Sequence, residues 1–177
     1  MALPTGPDVA FLFTDIEGST RTERAIGSAV WAEVVARHDE LMRRTIERHA
    51  GSVVKTDGDA FFAAFAGAAE AVAAAADAQR RLAAEPWPGG EVLRVRMGIH
   101  LGEGRLRTRL AAGDPEDYVG IDVNYAARIA AAANGGQIVL SAPLVAALPT
   151  KLGGLPGMED VGVVEDGLRA VKDFDPT

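Results

Sequence analysis

Residues 9–20 read VAFLFTDIEGST, and residues 52–65 read SVVKTDGDAFFAAF. The first stretch opens on an apolar run rich in β-formers, Val9–Thr14, which predicts a buried strand. Asp15-Ile-Glu-Gly-Ser-Thr20 follows as a loop. The second stretch predicts two strands, Ser52–Thr56 and Ala60–Phe65, joined at Asp57-Gly58, because Asp-Gly between two β-type runs is a strong hairpin signal. Between the stretches, Thr20–Ala50 carries Trp31, Val34, Val35, Leu41, Met42 and Ile46 at helical spacing. That helix is expected to break near Gly27-Ser28 and to end with Gly51 as the residue after its last turn.

The elements outside these two stretches complete a pattern. Gly67–Ala84 is an alanine-rich helix, and Pro86–Gly90 is a turn-rich connection. Val92–Leu101 alternates apolar and basic residues (Val95, Arg96, Met97), as a strand with one solvated face would. Gly102–Glu116 reads as irregular and polar. Asp122–Asn134 is a helix stopped by Gly135-Gly136, and Gln137–Ser141 is a strand. Ser141 is placed to cap a short helix from Pro143, and Val161–Lys172 is expected to form a hairpin around Glu165-Asp-Gly167. The order predicts an α+β fold, a ferredoxin-like βαββαβ core with a mixed or antiparallel sheet, flanking helices and a C-terminal extension. No repeat or internal boundary divides residues 1–177, so one domain is expected.

Bulk composition narrows the function. A chain of 177 residues with 48 % hydrophobic and 24 % charged residues is an ordinary globular mix. The absence of cysteine excludes disulfides and thiolate metal sites. A net charge of −7 argues against a protein that grips nucleic acid by its backbone. The longest apolar stretch, Ala68–Ala76, falls far short of the ~20 residues of a membrane span. Met1–Asp8 has no signal-peptide character, so a cytoplasmic location is expected.

Two clusters carry chemistry. In a split βαβ sheet the first and third strands are antiparallel neighbours, so Asp15, after one, and Asp59, before the other, meet at one end. Paired carboxylates repel unless a proton or cation lies between them, and hard divalent cations with oxygen ligands are the usual solution. Each Asp alone is equally a turn residue. Gly18, Ser19 and Thr20 lead into a helix N-terminus and can form an anion site, or Ser19 or Thr20 can simply cap the helix. In the second cluster, Asn124 and Arg128 are spaced i, i+4 on one helix face after Asp117-Tyr-Val-Gly120. An amide and a guanidinium there can hold a ribose oxygen and a phosphate, or form a solvated polar face.

Four motifs in order add a resemblance. Phe13-Thr-Asp15-Ile-Glu-Gly-Ser-Thr20 resembles the first metal motif of class III adenylyl cyclases, in the form common in bacteria. Lys55-Thr-Asp-Gly-Asp59 resembles the family's K-x-x-G-D motif, and Asp117–Arg128 its D-x-x-G-x-x-V-N-x-A-x-R motif. Val171-Lys172-Asp-Phe is similar to the terminal motif carrying a phosphate-binding Lys. The resemblance implies that Asp15 and Asp59, with the carbonyl of Ile16, hold two divalent metal ions, Mg²⁺ or Mn²⁺. It implies that Lys55 and Asp117 read the adenine edge, that Asn124 orients the ribose, that Arg128 stabilises transition-state charge, and that Lys172 binds the distal phosphates. The Gly18–Thr20 loop would lie against the substrate phosphates. The implied reaction is conversion of ATP to 3′,5′-cyclic AMP and pyrophosphate at sites shared between the two chains of a homodimer. The chain ends at Asp173-Phe-Asp-Pro-Thr177, where many relatives continue, so a fragment of a larger protein with regulatory domains is expected.

Two other readings stand beside this one. Guanylyl cyclases of the same fold usually carry Glu and Cys where this chain has Lys55 and Asp117. A non-catalytic cyclase-like module would sense nucleotide or dimerise without turnover.

Overall fold

The computed structural model describes residues 2–107, 116–149, 152, 158–159 and 162–163. Its elements run β1 (Gly6–Ile16), α1 (Ser19–Ile26), α2 (Ser28–Arg48), β2 (Ser52–Asp57), β3 (Ala60–Phe65), α3 (Ala68–Ala84), β4 (Val95–Leu106), β5 (Tyr118–Val119), α4 (Ile121–Ala132), β6 (Ile138–Leu140) and α5 (Ala142–Ala147). The sheet order is β2-β3-β1-β4-β5, with β6 parallel to β4 and every other pair antiparallel. The four strands β2-β3-β1-β4 are the expected split βαβ core. Lys172 and the expected hairpin at Val161–Lys172 lie outside the described residues, apart from residues 162–163.

Alternation along the strands writes two faces. Ala10, Leu12, Phe61, Ala63, Phe65, Val95, Met97 and Ile99 pack with Val34, Met42 and Ile46 of α2 and with α3 in the main core. Val9, Phe11, Phe62, Ala64 and Tyr118 form a smaller cluster on the opposite face, where Ala126 of α4 joins them. The alanines of α4 let it pack closely there, since Ala126 and Ala130 are buried.

Three local expectations are corrected. The residue with positive φ after α2 is Ala50, at 58°, and not Gly51. Gly51 answers a packing need, because a Cβ there would sit 2.3 Å from the Phe65 ring. In the β2–β3 hairpin Asp57 pairs with Ala60, so the tip is Gly58-Asp59, one residue later than Asp57-Gly58. Gly58 takes the left-handed conformation at that tip, φ 58°. Finally, β4 continues through Gly102 and Gly104 to Leu106, where an irregular segment was expected. Those glycines weaken strand propensity, but Cβ atoms would strike Asp122 and Val9.

Candidate functional site

The register of β1 against its neighbours builds the first cluster. Thr14 pairs with Phe61 of β3, so Asp15 and the hairpin tip carrying Asp59 lie at one end of the sheet. One oxygen of Asp59 accepts a hydrogen bond from the Ile16 amide at 3.2 Å. The two carboxylates expected to meet are thus tied together through the backbone. Burial, first, and the charge of Asp15 push the Asp59 carboxyl above its usual range, partly opposed by backbone hydrogen bonds. A carboxyl pair of this kind suits a cation. Among the described residues no group of three or more His, Cys, Asp or Glu converges. A hard divalent ion that takes its remaining oxygens from water and phosphates fits a two-carboxylate donor set.

Sequence reasoning missed the cation already there. Asp15 lies opposite Arg96 of β4. The Arg96 Nε donates to Asp15 Oδ2 at 2.8 Å, and a second guanidinium nitrogen, Nη2, donates to the same oxygen. Arg96 had read as part of a solvated strand face; its charge is instead aimed at the acidic pair. Only the strand register could have shown this.

The loop after Asp15 is pinned at both ends of Glu17. Its amide donates to the Arg94 carbonyl at 2.8 Å, and its carboxylate accepts from the Gly135 amide at 3.0 Å. Gly18 adopts φ 70° and is itself the N-cap of α1, with no side-chain capping bond. Capping by Ser19 or Thr20 is therefore not their role. They occupy the first two positions of the helix, where backbone amides lack intrahelical partners.

The second cluster is assembled from opposite edges of the sheet. Lys55 of β2 donates to Asp117, just before β5, at 2.8 Å. Strands β2 and β5 stand at the two ends of the strand order, so the sheet must curl for these side chains to meet. Tyr118 shows the same closure, with its ring 5.0 Å from Phe11 and 6.0 Å from Phe62. The Lys55 ammonium also lies 5.8 Å from the Phe62 ring centre. The Asp117 carbonyl accepts from the Arg107 amide at 2.8 Å, which fixes the residue further. Asn124 and Arg128 are both exposed, one turn apart on α4.

The three histidines, His38, His49 and His100, lie outside the motifs of both clusters. His38 is fully buried edge-on to Phe61, and burial holds its imidazole below the usual range. His49 contacts Asp77 at 3.3 Å, and His100 contacts Asp122 at 3.2 Å.

Comparisons with known proteins give the family and the fold. The family described as "Adenylate and Guanylate cyclase catalytic domain" matches residues 2–156. An adenylate cyclase of Podospora anserina is 36 % identical over 166 residues, which cover 81 % of this chain and 7 % of that protein. An uncharacterized protein of Mycobacterium tuberculosis is 38 % identical over 141 residues, 78 % of this chain and 44 % of that one. The chain therefore spans less than half the length of either relative. A structure of Trypanosoma brucei adenylate cyclases in their monomeric state superposes with a TM-score of 0.84 at 27 % identity, covering 99 % of this chain and 88 % of that one. No helix among the described residues is long and apolar enough to cross a membrane.

Proposed function

The chain belongs to the adenylate and guanylate cyclase catalytic domain family, and from that premise we propose that it is an adenylyl cyclase acting as a homodimer with shared sites. It forms 3′,5′-cyclic AMP and pyrophosphate from ATP. The observation that carries this reading is the convergence of Asp15 and Asp59, joined through the Ile16 amide, in front of Arg96. A cytoplasmic setting, where ATP is present, goes with it.

Asp15, Asp59 and the Ile16 carbonyl would hold two divalent ions, Mg²⁺ or Mn²⁺. When bound, such ions lower the pKa of an attacking hydroxyl and neutralise phosphate charge. The chain's own groups do the rest. Arg96, whose guanidinium lies against Asp15, stands where its donors could also reach phosphate oxygens. The N-terminal amides of α1, from Ser19 and Thr20, add partial positive charge on the same side as the loop.

Lys55 and Asp117 form a donor and an acceptor already held 2.8 Å apart. Adenine offers an acceptor ring nitrogen beside a donor amino group, which matches that pair. Guanine reverses the polarity. Asn124 orients the ribose so that its 3′-oxygen faces the α-phosphorus, and Arg128 stabilises the charge that develops on the phosphate. Bond formation between the 3′-oxygen and the α-phosphorus releases pyrophosphate.

Because the metal residues and the base and ribose residues act in different sites, each chain of a symmetric pair supplies half of each site. The test is cyclic nucleotide formation by the pure protein with ATP or GTP and Mg²⁺ or Mn²⁺. Cyclic AMP from ATP is expected. Cyclic GMP as the main product would make the protein a guanylyl cyclase. Nucleotide binding without either product would make it a sensing module.

A further inference from the structure

We propose that His100 and Asp122 are positioning residues that fix α4 against β4 and so set where Asn124 and Arg128 stand. This rests on the adenylyl cyclase reading above and adds to it two residues to which that reading gives no part.

The alternate residues of β4 on the face toward α4 are Gly98, His100 and Gly102. A Cβ on Gly98 would lie 2.2 Å from the Ala130 amide nitrogen, and one on Gly102 would lie 2.5 Å from Asp122 Cγ. The helix thus rests almost directly on the strand at both places. His100 is the side chain left standing between them. It is 4 % exposed, and its ring meets Tyr125 edge-on at 4.8 Å.

Asp122, in the first turn of α4, uses both its oxygens to grip β4. Oδ1 faces His100 Nε2 at 3.2 Å, and Oδ2 accepts from the Glu103 amide at 2.8 Å. A carboxylate in the first helical turn is also favoured by the helix dipole. Burial holds the His100 imidazole below its usual range. The other ring nitrogen, Nδ1, is buried with no hydrogen-bond partner among the described residues. Both facts place the single ring proton on Nε2, facing Asp122, because a stranded lone pair costs less than a stranded N–H.

The need for such a grip follows from the helix surface. The buried face of α4 is Ala126, Ile129 and Ala130, and two of these three have no side chain beyond Cβ to resist rotation. Asn124 lies two residues beyond Asp122, and Arg128 one turn further. A helix with its side chains has a radius of about 5–6 Å, so a 10° rotation moves a surface group by about 1 Å. A displacement of about 1 Å can cost about 100-fold in rate.

The experiment compares Asp122→Ala, Asp122→Asn and His100→Gln with wild type in steady-state kinetics on ATP, alongside circular dichroism. Asp122→Ala should lower kcat about 30- to 100-fold with KM changed less than about threefold. Asp122→Asn keeps an acceptor for the Glu103 amide and should regain about tenfold of that loss. His100→Gln keeps a donor toward Asp122 and should stay within about tenfold of wild type. Raised KM with unchanged kcat, or no rescue by Asn, overturns the proposal.

Mixed dimers assign the effect to α4. Asp122→Ala chains should recover activity when mixed with Asp59→Ala chains and gain none with Arg128→Ala chains. A variant that merely unfolds recovers with neither, and recovery with Arg128→Ala would place Asp122 in the metal half; either result refutes the positioning role. The control mixture is Asp59→Ala with Arg128→Ala. If that control is silent, the shared-site reading has failed, and the kcat and KM pattern with its Asn rescue decides the proposal alone.

Discussion

The two faces of the sheet differ in what covers them. One is buried under α2 and α3 by a continuous apolar cluster that runs from Leu12 and Phe61 to Ile46 and Leu82. The other carries a smaller cluster, and Asp15, Arg96 and His100 alternate with the core residues of their strands on that side. Adjacent residues of one strand therefore serve different ends. Phe61 packs into the main core, while Phe62 lies beneath the Lys55 ammonium. The larger core lies on one face and the residues of the proposed chemistry on the other, so substitutions one residue apart should have separable effects.

The sharpest test of that separation lies at the acidic pair. Asp15→Ala and Asp59→Ala should each lower turnover by about 10³-fold or more while leaving the circular dichroism spectrum unchanged, since each removes a proposed metal ligand and no core volume. Near-normal turnover in either variant would remove the two-metal mechanism. On the core face, Phe61→Ala should cost about 3–5 kcal/mol in denaturant unfolding. The milder Phe61→Leu should lower stability with kcat and KM unchanged at temperatures where the protein stays folded. Phe62→Leu should instead raise KM for ATP, because it alters the surface under Lys55. Equal kinetic effects from the two Leu variants would break the comparison.

Base choice tests the other end of the same face. Each mispaired polar group in a base pocket costs about 1–3 kcal/mol. ATP should therefore be preferred over GTP by roughly 10- to 100-fold or more in kcat/KM, and Asp117→Ala should erode that preference. Comparable values for the two nucleotides in wild type would refute the roles of Lys55 and Asp117.

The smallest effect concerns Asp59 and acid. Its carboxyl is held above the usual range, first by burial and then by the charge of Asp15. A raised folded-state value means that the ionised carboxylate disfavours the metal-free fold above that value, and that the penalty fades as pH falls through it. Asp59→Asn, which keeps an oxygen for the Ile16 amide, should slightly raise Tm at neutral pH in chelator. The gain should vanish in mild acid. Added Mg²⁺ or Mn²⁺ should raise Tm of wild type and not of the variant. A lower Tm for Asp59→Asn at neutral pH would contradict this account.

Much of the fold was legible because the sequence wrote it locally. The helical spacing before Ala50, the break at Gly27 and the strand pair around Gly58 each stand within a few residues. The meeting of Asp15 and Asp59 followed from topology once those elements were placed. What escaped depended on partners distant in sequence. Arg96 looks solvated until the register sets it against Asp15. Gly102 and Gly104 look like the start of an irregular segment until Asp122 and Val9 are set against them, and His100 looks ordinary until Asp122 arrives from the helix. Gly51 was assigned a backbone role because nothing nearby in sequence shows the Phe65 ring that excludes a side chain there.

The central claim is that the acidic pair and the α4 residues of one chain act in two different sites. Asp59→Ala protein and Arg128→Ala protein, each inactive alone, are mixed and allowed to exchange subunits, with exchange followed by a labelled chain. In a mixed dimer one site carries both lesions and the other carries neither. About half the dimers are mixed at random, and each has one of two sites intact, so activity should rise to roughly a quarter of wild type. Continued silence at every mixing ratio, with exchange demonstrated, would contradict the shared site and confine the chemistry to a single chain.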